Sequence, residues 1–282
     1  MTGPAVIATL ESRAAIAVGG PDWRDLLQGL VTQDVASLAD GEIRFGALLT
    51  PQGRLLFDLF FVGRGEGCLI DCAADRRDAL VQRLALYRLR AKVEIAPSPA
   101  SVLAAWSGEP PAGFLTDPRA PGLGWRGYGA SVPAEATVSE EAAYEGHRLA
   151  LGIPGTEDWG EDATYPIEAN FDLLNGIDFR KGCFVGQETT SRMKRRGQIR
   201  SRMAPISFDG PTPAFGSELL AGNLRAGEVR GGRNGVAIAS LRLDRLAADP
   251  LTFGDGHSWR PVWPDWLAAE AAQGAQRVEG HA

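Results

Sequence analysis

Lys181-Gly182-Cys183-Phe184-Val185-Gly186-Gln187-Glu188 and the run after it, Thr189-Thr190-Ser191-Arg192-Met193-Lys194-Arg195-Arg196-Gly197, decide how this chain is read. Ile177-Asp178-Phe179 reads as the end of a strand, Gly182 as a tight turn, and Gly186 to Arg196 as a short helix. Glu188 falls in the first turn of that helix and Arg192, Lys194, Arg195 and Arg196 toward its end, the order that a helix dipole favours. Gly197 is its stop. Cys183 then lies just before a helix N-terminus, next in sequence to Arg180 and Lys181. Such a setting lowers a thiol pKa from about 8.5 into the range of roughly 3.5–7.5. The plainer reading, a small buried cysteine on a turn, fits the same residues.

Composition bounds the alternatives. A chain of 282 residues is long enough for two or three domains, and 44% hydrophobic with 23% charged residues is ordinary for a globular protein. The 35 glycines and 18 prolines point to many turns and short connections. No apolar run approaches a membrane span, and residues 1–16 lack a signal-peptide layout, so the expected location is cytoplasmic. Three cysteines and three histidines carry no metal-ligand spacing, so no metal or iron–sulfur site of the chain's own is expected. Cys68 and Cys72 sit four apart on a strand, too far for a disulfide. From Arg180 to Arg202 there are eight Lys or Arg and one Glu, a balance of +7 inside a chain of net charge −6. Such a segment attracts an anion locally without making the whole protein a nucleic-acid binder.

Along the chain, strands at 11–18, 44–49, 54–62 and 68–72 and a helix from Asp75 to Leu86 give antiparallel hairpins rather than βαβ repeats, an α+β grammar. Asp58 interrupts an otherwise apolar strand. A second unit has strands near 101–106, 123–128 and 130–132 and a helix from Ser139 to Leu151. Thr156 to Ala163 reads as an acidic surface loop. Short strands follow Met203, with Asn234-Gly235 as a hairpin and Trp259, Trp263 and Trp266 in a small barrel core; the tail after Leu267 reads as frayed. The expected division is 1–97, 98–200 carrying the octapeptide, and 201–282 as a C-terminal β-barrel.

The octapeptide resembles the signature of the YgfZ-type folate-binding proteins, relatives of the glycine-cleavage T-protein that act in iron–sulfur cluster assembly or repair. Leu26 to Val35, Leu49 to Arg54, Tyr87 to Val93, Leu151 to Pro154 and Pro166 to Asn170 resemble the family's other segments, in order. The resemblance implies two ferredoxin-like α+β units around a central channel, tetrahydrofolate or a derivative as ligand, and iron–sulfur client enzymes or assembly proteins as partners. It implies Cys183 as the functional thiol and a pterin contact at Glu168, with Asn170 beside it on a strand leading into the signature. It also implies an aromatic stack at Tyr144 and folate carboxylates at Lys181 and Arg195, while Gln187 and Glu188 serve to fix the turn or touch ligand. Where some relatives carry a folate-packing aromatic, this chain has Arg13-Ala14-Ala15.

Two other functions stay open on the sequence. A one-carbon transferase of the T-protein kind, tetrahydrofolate-dependent, is disfavoured by cysteine at position 183, where that kind usually has aspartate. An RNA- or protein-binding module using the basic helix 186–202 lacks the interleaved aromatics that stack on bases.

Overall fold

The computed structural model describes residues 3–197, 199–233 and 235–270. In chain order the elements are β1 (Val6–Thr9), β2 (Arg13–Gly19), α1 (Trp23–Gln28), β3 (Ile43–Leu49), β4 (Leu55–Arg64), β5 (Gly67–Ala73), α2 (Arg77–Arg88), β6 (Glu94–Ser98) and β7 (Val102–Trp106). Then come β8 (Leu115–Thr116), β9 (Trp125–Tyr128), β10 (Thr137–Ser139), α3 (Glu141–Ala150), α4 (Thr156–Trp159) and α5 (Gln187–Arg196). The last part holds β11 (Ser201–Phe208), β12 (Glu218–Ala221), β13 (Leu224–Arg233), β14 (Val236–Arg242), β15 (Leu251–Phe253) and β16 (Trp259–Pro261).

These divide into two compact units, 1–145 with 174–189, and 146–173 with 190–282. The division differs from boundaries at 97 and 200. The stretch 98–200 is no body of its own, because β7 pairs with the N-terminal β1 and because 146–173 is built in with the barrel.

The first unit holds two five-stranded sheets, ordered β3-β4-β5-β2-β6 and β10-β1-β7-β9-β8. The first is antiparallel throughout. Its period of two sends Phe57, Leu59 and Phe61, with Cys68, Ile70 and Cys72, into a core with Trp23, Leu27, Leu80 and Leu84 from α1 and α2. The alternate residues of the same strands include Val62 and Leu69, which pack with Ala8, Val102 and Tyr144 of the second set of elements. Asp58 and Asp71 share that alternate face and are buried on it.

In the second unit a six-stranded sheet, ordered β15-β12-β13-β14-β11-β16, curls until Thr252 bridges Ser258, which nearly closes a barrel. Ala204, Ile206, Val229, Ala239 and Trp259 fill it, with Trp263 and Trp266 packed against them. The α+β class with a C-terminal barrel is therefore as expected.

Local readings differ in several places. Residues 166–175 form consecutive turns and 177–179 no strand, so neither Glu168 nor Asn170 lies on a strand. No strand forms at 130–132, and β1, β8 and β10 were not foreseen. Thr156 to Ala163 is no surface loop; it contains α4, whose Asp158 and Trp159 are buried, with Asp158 paired to Arg148 at 2.9 Å. The β13–β14 hairpin forms, but Asn234, and the tail beyond 270, lie outside the described residues.

Candidate functional site

The signature loop is tied down by its lysine. Lys181 Nζ donates to the carbonyls of Gln28 at 2.8 Å, Val31 at 2.6 Å and Gln33 at 3.0 Å, so the three protons of the ammonium meet three acceptors. Around it the backbone is laced to the same segment. Thr32 Oγ1 donates to Gly176 O at 2.6 Å, the Asp178 N–H to Thr32 O at 3.0 Å and the Val185 N–H to Gly29 O at 3.2 Å. Burial pushes the Lys181 ammonium down to about 8, against the opposing pull of Asp34 and Asp178.

The other fixed point is Gly186, at φ +80°, where a Cβ would stand 2.5 Å from Thr50 O and 3.0 Å from Gly53 Cα. Gly53 is at φ +88° and its own Cβ would meet Gly186 O at 2.9 Å. The two glycines let the turn at 50–53 and the signature approach backbone to backbone. Gly182, expected as the turn glycine, has open space around it and no positive φ; the turn is made at Gly186. Gln187 then starts α5 reciprocally, its N–H donating to Phe184 O at 3.3 Å and its Oε1 accepting the Phe184 N–H at 3.2 Å. Gly197, at φ +61°, ends the helix with its N–H on the carbonyls of Met193 and Lys194. Three separated stretches, 28–33, 50–53 and 181–187, thus meet at one place.

From that place Cys183 is exposed, as are Gly182 and Glu188, while Phe184 is buried. Cys68 and Cys72 are buried in the core, and burial pushes both thiols up to about 12. The two neighbouring cations are directed elsewhere: Lys181 to its three carbonyls, and Arg180, 96% exposed, to Asp178 at 3.9 Å.

Of the remaining expected ligand residues, Tyr144 belongs to the same unit as the loop and Glu168, Asn170 and Arg195 to the other. Tyr144 on α3 is 3% exposed; its hydroxyl accepts from Arg119 Nη2 at 3.0 Å and its ring lies tilted on Trp106 at 5.6 Å. It is a core tyrosine. Asn170, at φ +62°, is fully buried, with Nδ2 donating to Met203 O at 2.6 Å and Oδ1 accepting from Arg202 at 3.2 Å. Arg202 also grips Asp172 through two bonds, 2.7 and 3.1 Å, and so holds the turns at 167–172 onto β11. Glu168 is half-buried and its carboxylate accepts the Tyr165 N–H at 3.2 Å. Arg195 is exposed, with Nε on Ser191 O of its own helix at 3.4 Å. Glu168, Asn170 and Arg195 belong to the second unit; Tyr144, Lys181 and Cys183 belong to the first.

Sequence reading missed a buried ionic network in the first unit. Arg13 on β2 bridges Asp58 at 2.8 Å and Asp71 at 2.7 Å. Arg126 on β9 bridges Asp71 at 2.7 Å and Asp117 at 3.2 Å, and Arg119 completes the chain to Asp117 at 2.8 Å. Tyr128 donates to Asp71 at 2.9 Å, and the Arg126 guanidinium lies 3.8 Å from the centre of the Phe60 ring. Burial alone would raise the Asp117 carboxyl, yet Arg119 and Arg126 hold it below the usual range. Buried charges persist only when paired, and these alternate in sign. Asp58 within Leu55–Arg64 and Asp71 between Ile70 and Cys72 were the available signals: lone acids in apolar strands. Arg13, at the position where an aromatic was looked for, is one of its links.

Among the described residues no group of three or more His, Cys, Asp or Glu is placed to hold a metal, and no helix is long and apolar enough to cross a membrane.

Comparison with known proteins gives three findings. Residues 200–269 match the family described as CAF17, C-terminal beta-barrel domain. The chain is 29% identical to the mitochondrial iron–sulfur cluster assembly factor IBA57 of Mus musculus, across 93% of this chain and 85% of that protein. It is 31% identical to that of Homo sapiens, across 84% of this chain and 77% of that protein. Among solved structures, the glycine cleavage system aminomethyltransferase T from Bartonella henselae superposes with a TM-score of 0.68 at 18% identity, covering 86% of this chain and 79% of that one. At that identity the likeness is one of fold. The cytoplasmic placement is corrected by these relatives, which are named mitochondrial.

Proposed function

The chain belongs to the family of the iron–sulfur cluster assembly factor IBA57, and on that premise we propose that it serves iron–sulfur cluster assembly, with Cys183 as its functional thiol and a reduced folate as ligand. The family shown is that of IBA57 and not the YgfZ-type group that the octapeptide resembles, while the likeness to the T-protein fold holds. The partners in this reading are assembly proteins or iron–sulfur client enzymes.

One observation carries the thiol: of three cysteines, the signature's alone is exposed, on a loop pinned at Lys181 and Gly186, while the other two are buried with their thiols pushed up to about 12. A rigid loop presents a sulfur at a fixed place, which a contact with a partner or a metal-bearing cargo requires. Tetrahydrofolate or a derivative is the proposed ligand, with Glu168 as the carboxylate for the pterin edge and Arg195 for the folate carboxylates. Tyr144, Asn170 and Lys181 are spent on internal partners and are left out of the ligand set.

The test is complementation. Deleting the gene should depress several iron–sulfur enzyme activities, and Cys183→Ala should fail to restore them while leaving thermal stability within about 0.5 kcal/mol, as an exposed substitution should. Full restoration by Cys183→Ala would remove the thiol from the function.

A further inference from the structure

The end of α2 carries a feature that neither the thiol nor the folate reading uses. Leu89 has φ 45° and ψ −106° and is 88% exposed. Those angles are close to those of the first central residue of a type II′ turn, a place that glycine dominates because a Cβ is strained there. The turn is closed, with the Ala91 N–H on Arg88 O at 2.7 Å. It is also pinned on its far side. Arg88 Nη1 donates to Val93 O at 3.3 Å, and the Lys92 N–H donates to Asp22 Oδ2 at 2.7 Å.

A leucine held at positive φ costs on the order of 1–3 kcal/mol. A side chain that is nearly all in solvent recovers little of that by burial within its own chain. Leu86, one turn earlier on α2, is 71% exposed as well. Along the chain around the two leucines the charge is of one sign, the carboxylate of Asp22 at the turn being occupied by the Lys92 N–H. Arg83, Arg88, Arg90 and Lys92 are exposed, no Asp or Glu occurs from 79 to 93, and Glu94 is the first acid to follow. Tyr87, the aromatic of this stretch, packs against the core, so there is no stacking platform for bases.

We propose that Leu89, with Leu86 and the four surrounding cations, is a preformed docking knob for another protein: one presenting an apolar cleft rimmed by carboxylates. The charge pattern asks for an acidic rim, and the pinned turn holds one leucine in one place. A cleft rewards that fixed geometry, whereas a fluid lipid surface does not require it. The site is separate from the signature loop, so its failure leaves the proposed thiol and folate roles untouched.

The experiment places a photo-crosslinking amino acid at position 86 of the full chain in living cells and sequences the crosslinked peptide. Leu89→Gly is the companion variant, since glycine relieves the strain and deletes the knob. The expected result is an acid-rich segment of a different protein, captured at least tenfold less by Leu89→Gly, together with a melting temperature for Leu89→Gly equal to or above that of the wild type. Double substitution of Arg83 and Arg90 by glutamate should abolish the capture. The proposal is overturned by no crosslink, or by a crosslink to a basic segment, to a second copy of this chain, to phospholipid or to RNA. It is equally overturned if capture is indifferent to Leu89→Gly, or if Leu89→Gly lowers the melting temperature, since the leucine would then serve its own fold.

Discussion

Replacing Lys181 by methionine keeps the length and apolar stem of the side chain and removes the ammonium. Three carbonyls, those of Gln28, Val31 and Gln33, then lose donors that stand at 2.6 to 3.0 Å. Leaving a buried acceptor unpaired costs about 1–3 kcal/mol. The site is half-open, so water re-solvates part of that loss, and removing a half-buried charge returns some desolvation energy. A net destabilisation of about 2 kcal/mol follows, or a drop of roughly 4–8 °C in melting temperature for a unit of this size. The measurement is denaturant unfolding followed by thermal melting, with Lys181→Arg as a control. A planar guanidinium cannot aim at three convergent carbonyls as a rotating ammonium does, so arginine should recover less than half of the loss. The pH dependence gives a second reading. With the folded ammonium titrating at about 8 and an unfolded lysine near 10.4, the unfolded chain binds more protons between those values, so stability rises with pH through that window. The methionine variant lacks this term, while Cys68 and Cys72 contribute equally to both proteins. The gap between wild type and variant should therefore widen from pH 8 to 10. A variant within about 0.5 kcal/mol of wild type at pH 7 would refute the staple, and a gap that narrows above pH 8 would show that the carbonyl bonds, not burial, set the titration.

Two further outcomes are expected. Gly186→Ala should destabilise by at least about 2 kcal/mol, because its Cβ would stand 2.5 Å from Thr50 O at φ +80°, whereas Gly182→Ala should be neutral; equal effects in urea unfolding would mean that the turn is not made where it is described. Glu168→Ala should weaken tetrahydrofolate binding roughly ten- to a hundredfold by calorimetry, through loss of a charge-assisted pair of hydrogen bonds, and unchanged affinity would remove Glu168 from the ligand set.

What the sequence made legible was local. Helix α5 could be read because its acid, its bases and its stop at Gly197 lie within one stretch and act through one dipole. The antiparallel pairing of the strands read at 54–62 and 68–72 and the apolar run of β4 were legible for the same reason. What failed depended on a distant partner. Ile167-Glu168-Ala169-Asn170 alternates like a strand, yet Arg202, more than thirty residues on, draws the carbonyl of Ile167 and the side chains of Asn170 and Asp172 toward itself. Once those bonds are made, Asn170 sits at positive φ and the segment turns. Asp158 was read as solvent-facing for its charge, but Arg148 from the preceding helix pairs it and permits burial. Asp58 and Asp71 carried no visible partner because Arg13 and Arg126 come from other segments. In each case a charged partner outside the segment decided what the local pattern alone could not.

The signature itself divides its labour. Lys181 closes on three carbonyls, Phe184 fills the fold, Gly186 admits the Thr50 turn, and Gln187 fastens the first turn of α5. Those residues are consumed in making the loop, and only Gly182, Cys183 and Glu188 of the octapeptide face outward. On the proposed thiol reading, such a motif need not bring a base, a metal ligand or an oxyanion pocket in its own sequence; it needs rigidity on both sides of the sulfur. Lys181 and Gly186 supply that rigidity, two and three residues from Cys183. Of the three outward-facing residues Cys183 is the one with a nucleophilic side chain, and that is the ground of the proposed thiol role.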